Sequence, residues 1–269
     1  MRVLITNDDG AHATGIGLLA RCLSSRGVDV VVVAPATEAS GSSAGLGQVE
    51  AGGTVPSKLV ELALAPGVEA HAVEAPPAMC VLAGLTEAFG PVPDVVLSGV
   101  NNGHNLGRAV IHSGTVGAAL TARMLKVPAL AVSAPALSVE TGHTPGTGPD
   151  MTAMVAVAEL AAELLRHLER WPRAALNVNV PGDAWTALRP ARLSDLGAIR
   201  LSVEGDRSVQ IDLETGTDEP DPPGADRWPT DLWLVTHGYA SITPLSPVGV
   251  ASAEAEVTAL VSMVTSDAS

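Results

Sequence analysis

The chain of 269 residues carries 15 Lys and Arg against 29 Asp and Glu, a formal net charge of −14, with 46% hydrophobic residues and only six aromatics. That apolar fraction supports a substantial core, in one large α/β domain or two small ones, and excludes disorder for most of the chain. The acidic balance, with no cluster of Lys or Arg, excludes stable binding to a nucleic-acid polymer or an anionic membrane, and the aromatic shortage excludes a base-stacking platform.

The first 135 residues alternate apolar β-like runs with helical segments, the pattern of a parallel sheet covered on both faces. Residues 2–6 read as a buried strand, and 15–25 carry Ile16, Leu18, Leu19, Cys22 and Leu23 on roughly one helical face. The valine-rich run 28–34 is the second strand, stopped by Pro35. Residues 46–75 yield only short β-like pieces, at 58–64 and 69–73, around the Pro66-Gly67 turn signal. A helix is predicted over 78–89, buried strands over 93–97 and 129–132, and between those strands an Ala-rich helix over 115–125. Residues 134–150, with three Pro and three Gly, read as a surface loop, after which a helix over 151–166 and a strand over 174–180 add one more unit.

From 183 to 228 the composition turns polar and acidic, with 215–224 as a mobile excursion. The segment reads as an appended hairpin and a candidate oligomer contact. β character resumes at 232–236 and 240–243, and 251–264 closes the chain as a helix. The division is thus a core over 1–182, a hairpin excursion over 183–230 and a strand-and-helix extension over 231–269. The two cysteines, Cys22 and Cys80, lack C-x-x-C spacing and read as buried thiols in a reducing cytoplasm. The apolar run after Met1-Arg2 is too short for a signal-peptide core, and the stretch 151–168 is interrupted by Glu159, Glu163 and His167, so no membrane span is expected.

Chemistry concentrates where strands end. Strand 1 runs into Thr6-Asn7-Asp8-Asp9-Gly10, and in a doubly wound sheet the ligand crevice lies at the carboxyl ends of the strands. Two carboxylates about 4 Å apart repel by roughly 4 kcal/mol at an effective dielectric near 20, a strain that a divalent cation relieves. The same four residues also read as ordinary turn chemistry with both Asp side chains in water. A dinucleotide site would need G-x-G-x-x-G after strand 1 and an acid at the end of strand 2; the loop 7–15 and Ala34-Pro35 provide neither.

The loop after strand 2, Ala36 to Gly45, is rich in Ser and Gly, small residues that allow a ligand to approach backbone and hydroxyls. The strand ending at Leu97 leads into Ser98-Gly99-Val100-Asn101-Asn102-Gly103-His104-Asn105-Leu106-Gly107. Further on, Ser113-Gly114-Thr115 opens the Ala-rich helix, and a helix start with two hydroxyls and free amides is an anion site that needs no Lys or Arg. Ser113 or Thr115 serving only as an N-cap is the plainer alternative.

These residues resemble the SurE family (survival protein E) of metal-dependent 5'/3'-nucleotidases and phosphatases. The resemblance runs over nearly the whole chain: Asn7-Asp8-Asp9-Gly10, Ser40-Gly41, Ser98-Gly99-Val100-Asn101, Asn105-Leu106-Gly107, Ser113-Gly114-Thr115-Val116, Asn177-Val178-Asn179-Val180-Pro181 and Gly238 to Leu245. It implies a Rossmann-like three-layer α/β/α sandwich with a mostly parallel sheet and a C-terminal hairpin/helix extension, exchanged between subunits of a homodimer or homotetramer. It further implies one divalent cation held by Asp8, Asp9, Ser40 and Asn101, with Asn105, Ser113, Gly114 and Thr115 binding phosphate and Asp8 and Asp9 catalytic. An all-oxygen set suits Mg²⁺ or Mn²⁺ rather than zinc.

The implied activity is hydrolysis of nucleoside 5'- or 3'-monophosphates. The alternatives are a phosphatase for another small phosphate or short polyphosphate, and a catalytically silent nucleotide-binding oligomer. His12 and His112 flank the motifs and read either as leaving-group acids or as polar walls. The chain departs from the family pattern at Glu38-Ala39, where a basic segment is common, at Pro76-Pro77-Ala78-Met79 in place of Thr-Pro-x-Asp, at Arg108-Ala109 in place of an acidic pair, and at His112 in place of Tyr. These changes bear on how the leaving group is held.

Overall fold

The computed structural model describes residues 1–48, 52–135, 151–168, 171, 173–182, 184–195, 199–204, 208–213 and 228–247. Five-residue β1 (Arg2–Thr6) and seven-residue β2 (Asp29–Pro35) pair in parallel, with β4 (Glu69–Val73) beyond β2 and the three-residue β3 (Ser57–Leu59) antiparallel at that edge. On the other side of β1 lie β5 (Val95–Asn102), β6 (Ala129–Ala134) and β7 (Ala175–Asn179), all parallel. The order along the sheet reverses between β1 and β5, so their carboxyl ends open onto the crevice where such sheets bind ligands.

Four helices cover two faces. Val3, Ile5, Val32 and Leu97 point into a core with α1 (Thr14–Ser24) and α4 (Met151–Leu165); Leu4, Val31, Val33 and Val96 point into a second core with α2 (Pro77–Gly84) and α3 (Gly114–Met124). Burial on both faces is why the strands read as unbroken apolar runs instead of alternating ones. Met154, Val157, Ala158, Ala161 and Leu165 give α4 its buried stripe at helical spacing. The molecule is therefore a Rossmann-like α/β/α sandwich, as expected.

Several boundaries differ from the sequence reading. The second strand does stop at Pro35, which is itself its last residue, paired with Val73 at a strand terminus where its missing N–H is harmless. The helix expected over 78–89 closes at Gly84, and Thr86 starts a separate 3₁₀ turn by accepting the Ala88 amide at 3.2 Å. Residues 232–236, read as β, form the short helix α5 (Asp231–Thr236), because Thr230 caps it by accepting the Trp233 amide at 3.1 Å. A short run such as Leu-Trp-Leu-Val does not by itself distinguish helix from strand.

The last described strand, β11 (Ala240–Leu245), runs antiparallel to β7, and the short β8 (Leu188–Pro190) pairs in parallel with it. Residues assigned to a C-terminal extension thus complete the sheet begun by 1–182. Within the predicted hairpin segment, β9 (Ile199–Glu204) and β10 (Ser208–Leu213) pair antiparallel as a separate two-stranded sheet. The excursion read at 215–224, the closing helix at 251–264 and nearly all of the loop at 134–150 lie outside the described residues.

Candidate active site

The turn after β1 is held from within. Asn7 is fully buried and its side-chain amide donates to the Gly10 carbonyl at 3.0 Å, while Gly10 takes a φ of +98° that favours glycine. The next amide, of Ala11, donates to the Pro35 carbonyl at 2.8 Å and ties the turn to the end of β2. This geometry aims Asp8 into the protein, where it is only 4% exposed, and leaves Asp9 half-buried beside it.

Asp8 meets the first turn of α3. The buried Thr115 hydroxyl donates to the Asp8 carboxylate, and the Thr115 and Gly114 amides also face it. A Cβ at position 114 would lie 2.8 Å from Asp8 Cβ, 2.9 Å from Asp8 Oδ2 and 2.7 Å from Ser42 Oγ. Only glycine lets the helix start come this close. Ser113 caps the helix, its hydroxyl accepting the Val116 amide at 3.1 Å and keeping its own O–H to donate.

The electrostatics favour a cation. Burial raises the pKa of Asp8, opposed by the Thr115 hydroxyl and by neighbouring amides. Asp9 is pushed up to about 6, first by burial, then by the charge of Asp8 and to a smaller degree by Glu38, against a lowering bond from the Asn102 amide. Two carboxylates that both resist ionisation in one crevice make a positive charge there favourable. Among the described residues no three of His, Cys, Asp and Glu gather at a metal-type cluster; carboxylate, hydroxyl and amide oxygens are what this crevice offers, the donor chemistry of a hard divalent cation.

The loop after β2 folds over this pair. The Ala39 amide donates to the Asp8 carbonyl at 2.8 Å; Ser43 Oγ donates to the Ile111 carbonyl at 2.6 Å, and the Ser43 amide to the His112 carbonyl at 3.2 Å. A Cβ on Gly117 would come within 2.1 Å of the Ser43 carbonyl oxygen, so α3 needs glycine there to receive the loop. Ser40 is exposed at the rim and donates to Glu38 Oε1 at 3.0 Å. Within the described part of this loop, the buried hydroxyl without a hydrogen-bond partner is Ser42 Oγ, next to the start of α3. The sequence reading did not single out Ser42, and a run of three serines within four positions gives no spacing signal to choose among them.

The residues assigned to a crevice loop from Ser98 onward begin as strand. β5 continues to Asn102, with a bulge between Ser98 and Asn101 that brings Asn101 opposite Ser133 of β6; bulges re-aim side chains at functional rims. Asn101 Nδ2 donates to the Gly103 carbonyl at 2.7 Å, which leaves its side-chain oxygen for a ligand. Asn105 is gripped from the sheet: its amide donates to Asn179 Oδ1 at 2.8 Å, its side-chain Nδ2 donates to Ser133 Oγ at 2.9 Å, and its carbonyl accepts from Asn177 Nδ2 and Asn179 Nδ2, each at 2.9 Å. Two residues on, the Gly107 amide donates to the fully buried Asp231 at 2.9 Å.

The structure therefore gathers Asp8, Asp9, Gly114 and Thr115, sets Asn101 at the neighbouring strand end, and fixes Asn105 against β6 and β7. His12 and His112 are exposed. His104, in contrast, is pushed below its usual pKa by burial and bonds the Val180 carbonyl at 2.9 Å, a structural role.

The family model described as Survival protein SurE matches residues 3–202. A protein of Azotobacter vinelandii named 5'-nucleotidase SurE is 38% identical over 256 residues, covering 91% of this chain and 92% of its own length. One of the same name from Aeromonas hydrophila is 36% identical over 258 residues, with 91% and 92% covered. The crystal structure of SurE protein from Aquifex aeolicus superposes with a TM-score of 0.72 at 26% identity, covering 94% of this chain and 96% of that one.

Proposed function

Because this chain belongs to the SurE family, we propose that it is a divalent-metal-dependent phosphomonoesterase that hydrolyses nucleoside 5'- or 3'-monophosphates to nucleoside and phosphate. Its curated relatives carry the name 5'-nucleotidase. The observation that carries the reading on this chain is the buried Asp8 carboxylate facing the amides and hydroxyl at the start of α3, with Asp9 beside it.

In this reading Asp8, Asp9, the Asn101 side-chain oxygen and the Ser40 hydroxyl hold one Mg²⁺ or Mn²⁺. When bound, the ion would supply Lewis acidity and positive charge toward the phosphoryl group. Thr115 fixes the orientation of Asp8 through its hydroxyl. The Gly114 and Thr115 amides, at the positive end of α3, face Asp8 and would be shared between that carboxylate and a phosphoryl oxygen when substrate binds. Asn105 contributes its side-chain amide to the same group, and the Asp8-Asp9 pair handles the proton that moves between water and substrate oxygen.

Among small phosphates, Glu38 beside Asp9 adds negative charge at the entrance, which favours monoesters over the more highly charged short polyphosphates. With only six aromatics in the chain, a base would be held largely by apolar walls, which supports weak discrimination among bases. Incubation with a panel of nucleoside monophosphates, other phosphomonoesters and short polyphosphates, with Mn²⁺ or Mg²⁺, is expected to release phosphate fastest from the nucleotides. An Asp8→Asn control with equal activity refutes the reading, as does nucleotide binding without turnover.

The same reading includes a homodimer or homotetramer and residence in the cytoplasm, acting on small substrates rather than nucleic-acid polymers. Half-exposed Trp228, on an apolar groove of about 540 Å³ with Val110, Leu193 and Leu245, supports the oligomer, and a monomer in light scattering counts against it. Two free, buried cysteines support a reducing compartment, with burial pushing the Cys80 thiol up to about 12. Among the described residues no helix is long and apolar enough to cross a membrane.

A further inference from the structure

The grip on Asn105 is out of proportion to an ordinary loop. Asn179 uses both ends of its side-chain amide on the main chain of one residue, accepting from the Asn105 N–H and donating to the Asn105 carbonyl. Asn177 adds a second donor to that carbonyl, and Ser133 accepts from the Asn105 side chain. Ser133, Asn177 and Asn179 are each 0% exposed. They lie on the face of the sheet that packs against α2 and α3, since Ala129, Ala131 and Ala175 stand at the same period-two positions in the second core, while the intervening Leu130, Val132, Leu176 and Val178 point into the first.

Burying three polar side chains between apolar neighbours in central strands is expensive unless each is hydrogen-bonded. Here the bonds converge on one residue. They fix the backbone position of Asn105 through Asn177 and Asn179, and its side-chain rotamer through Ser133, which stands opposite Asn101 across β5 and β6. The rigid sheet thereby sets the place of a residue that belongs to an irregular segment.

We propose that Asn179, Asn177 and Ser133 are positioning residues that hold the Asn105 amide in register with the phosphate site, so that the polar alternation of β7 serves turnover rather than the sheet. The proposal rests on the assignment of Asn105 to phosphate binding. Ser133→Ala removes one oxygen at a small buried site, and Asn179→Asp keeps the acceptor for the Asn105 N–H while losing the donor to its carbonyl.

The test measures kcat and KM for a nucleoside monophosphate with Mn²⁺, affinity for inorganic phosphate by calorimetry, Mn²⁺ affinity and Tm. Ser133→Ala and Asn179→Asp are each made in the wild-type and Asn105→Ala backgrounds. Each is expected to lower kcat/KM about tenfold in the wild-type background and to weaken phosphate binding, with Mn²⁺ affinity unchanged; in the Asn105→Ala background the further loss is under about twofold. Ser133→Thr, which keeps the hydroxyl, is expected to retain activity.

Equal effects in both backgrounds, or a lowered Tm with unchanged kcat/KM per folded molecule, overturn the proposal. If Asn179→Asp does not fold, Ser133→Ala alone decides. A wild-type protein that neither turns over nor binds phosphate removes the site assignment and the proposal together, and an Asn105→Ala variant identical to wild type removes the role of Asn105. Loss of activity in Asn105→Ala with none in Ser133→Ala or Asn179→Asp removes the proposal alone.

Discussion

Replacing Asp9 with Asn is expected to stabilise the cation-free protein at pH 8 and to do much less at pH 4.5. The folded crevice holds Asp9 up at about 6 against its ordinary value of 3.8. A group whose folded pKa is raised binds its proton more tightly in the native state, so its contribution is best below about 3.8, falls as pH rises towards 6, and stays low above that. The gap of about two units corresponds to about 3 kcal/mol at pH 8, at 1.36 kcal/mol per unit. At pH 4.5 less than a unit of it, about 1 kcal/mol, has been expressed. Asp9 is half-buried, so water screens part of the repulsion and about 3 kcal/mol is an upper figure. Urea unfolding in EDTA at both pH values measures the difference between variant and wild type. Saturating Mn²⁺ is expected to reverse the order, since only the wild type retains both carboxylates for the ion. An Asp9→Asn protein no more stable than wild type in EDTA at pH 8 refutes the reasoning.

Thr115→Val removes the hydroxyl that favours the ionised form of Asp8, so the acidic limb of the kcat/KM profile moves to higher pH; an unmoved limb contradicts the role. Gly114→Ala pushes a methyl group to within 2.9 Å of the Asp8 carboxylate and is expected to cut nucleotidase turnover by at least about 100-fold while far-UV circular dichroism is unchanged. Leu4→Ala empties a fully buried position between β1 and Gly84 of α2, which costs about 3 kcal/mol by urea unfolding and leaves the specific activity of the folded fraction intact.

Much of this was legible before any coordinates. Continuous aliphatic runs at β1 and β2 announce strands buried on both faces, and adjacent carboxylates at a strand end announce a candidate site. What escaped was what depends on partners distant in the chain. The Thr115 hydroxyl reaches Asp8 across 107 positions, and no spacing rule contains that distance. Gly99 and Asn101 look like loop residues, yet pairing of Asn101 with Ser133 keeps them in β5. The Asn177-Val178-Asn179 alternation did carry a signal, since polar residues at period two do not belong in a buried parallel strand without partners. Ser40 and Ser42 were inseparable by type; the fold exposes one and buries the hydroxyl of the other.

The antiparallel insertion of β11 also governs the order in which the molecule can be completed. β7 has one neighbour, β6, until residues 240–245 return to seal its other edge, and β8 has no place in the sheet before then. A nascent chain therefore carries an open strand edge through some 60 residues of synthesis, the kind of edge that recruits other chains. The strand left open holds Asn177 and Asn179, so the part of the sheet that grips Asn105 is among the last to become rigid. Catalytic competence is expected to trail collapse of the two cores, and loss of residues beyond 239 to cause aggregation before it causes a change of specificity.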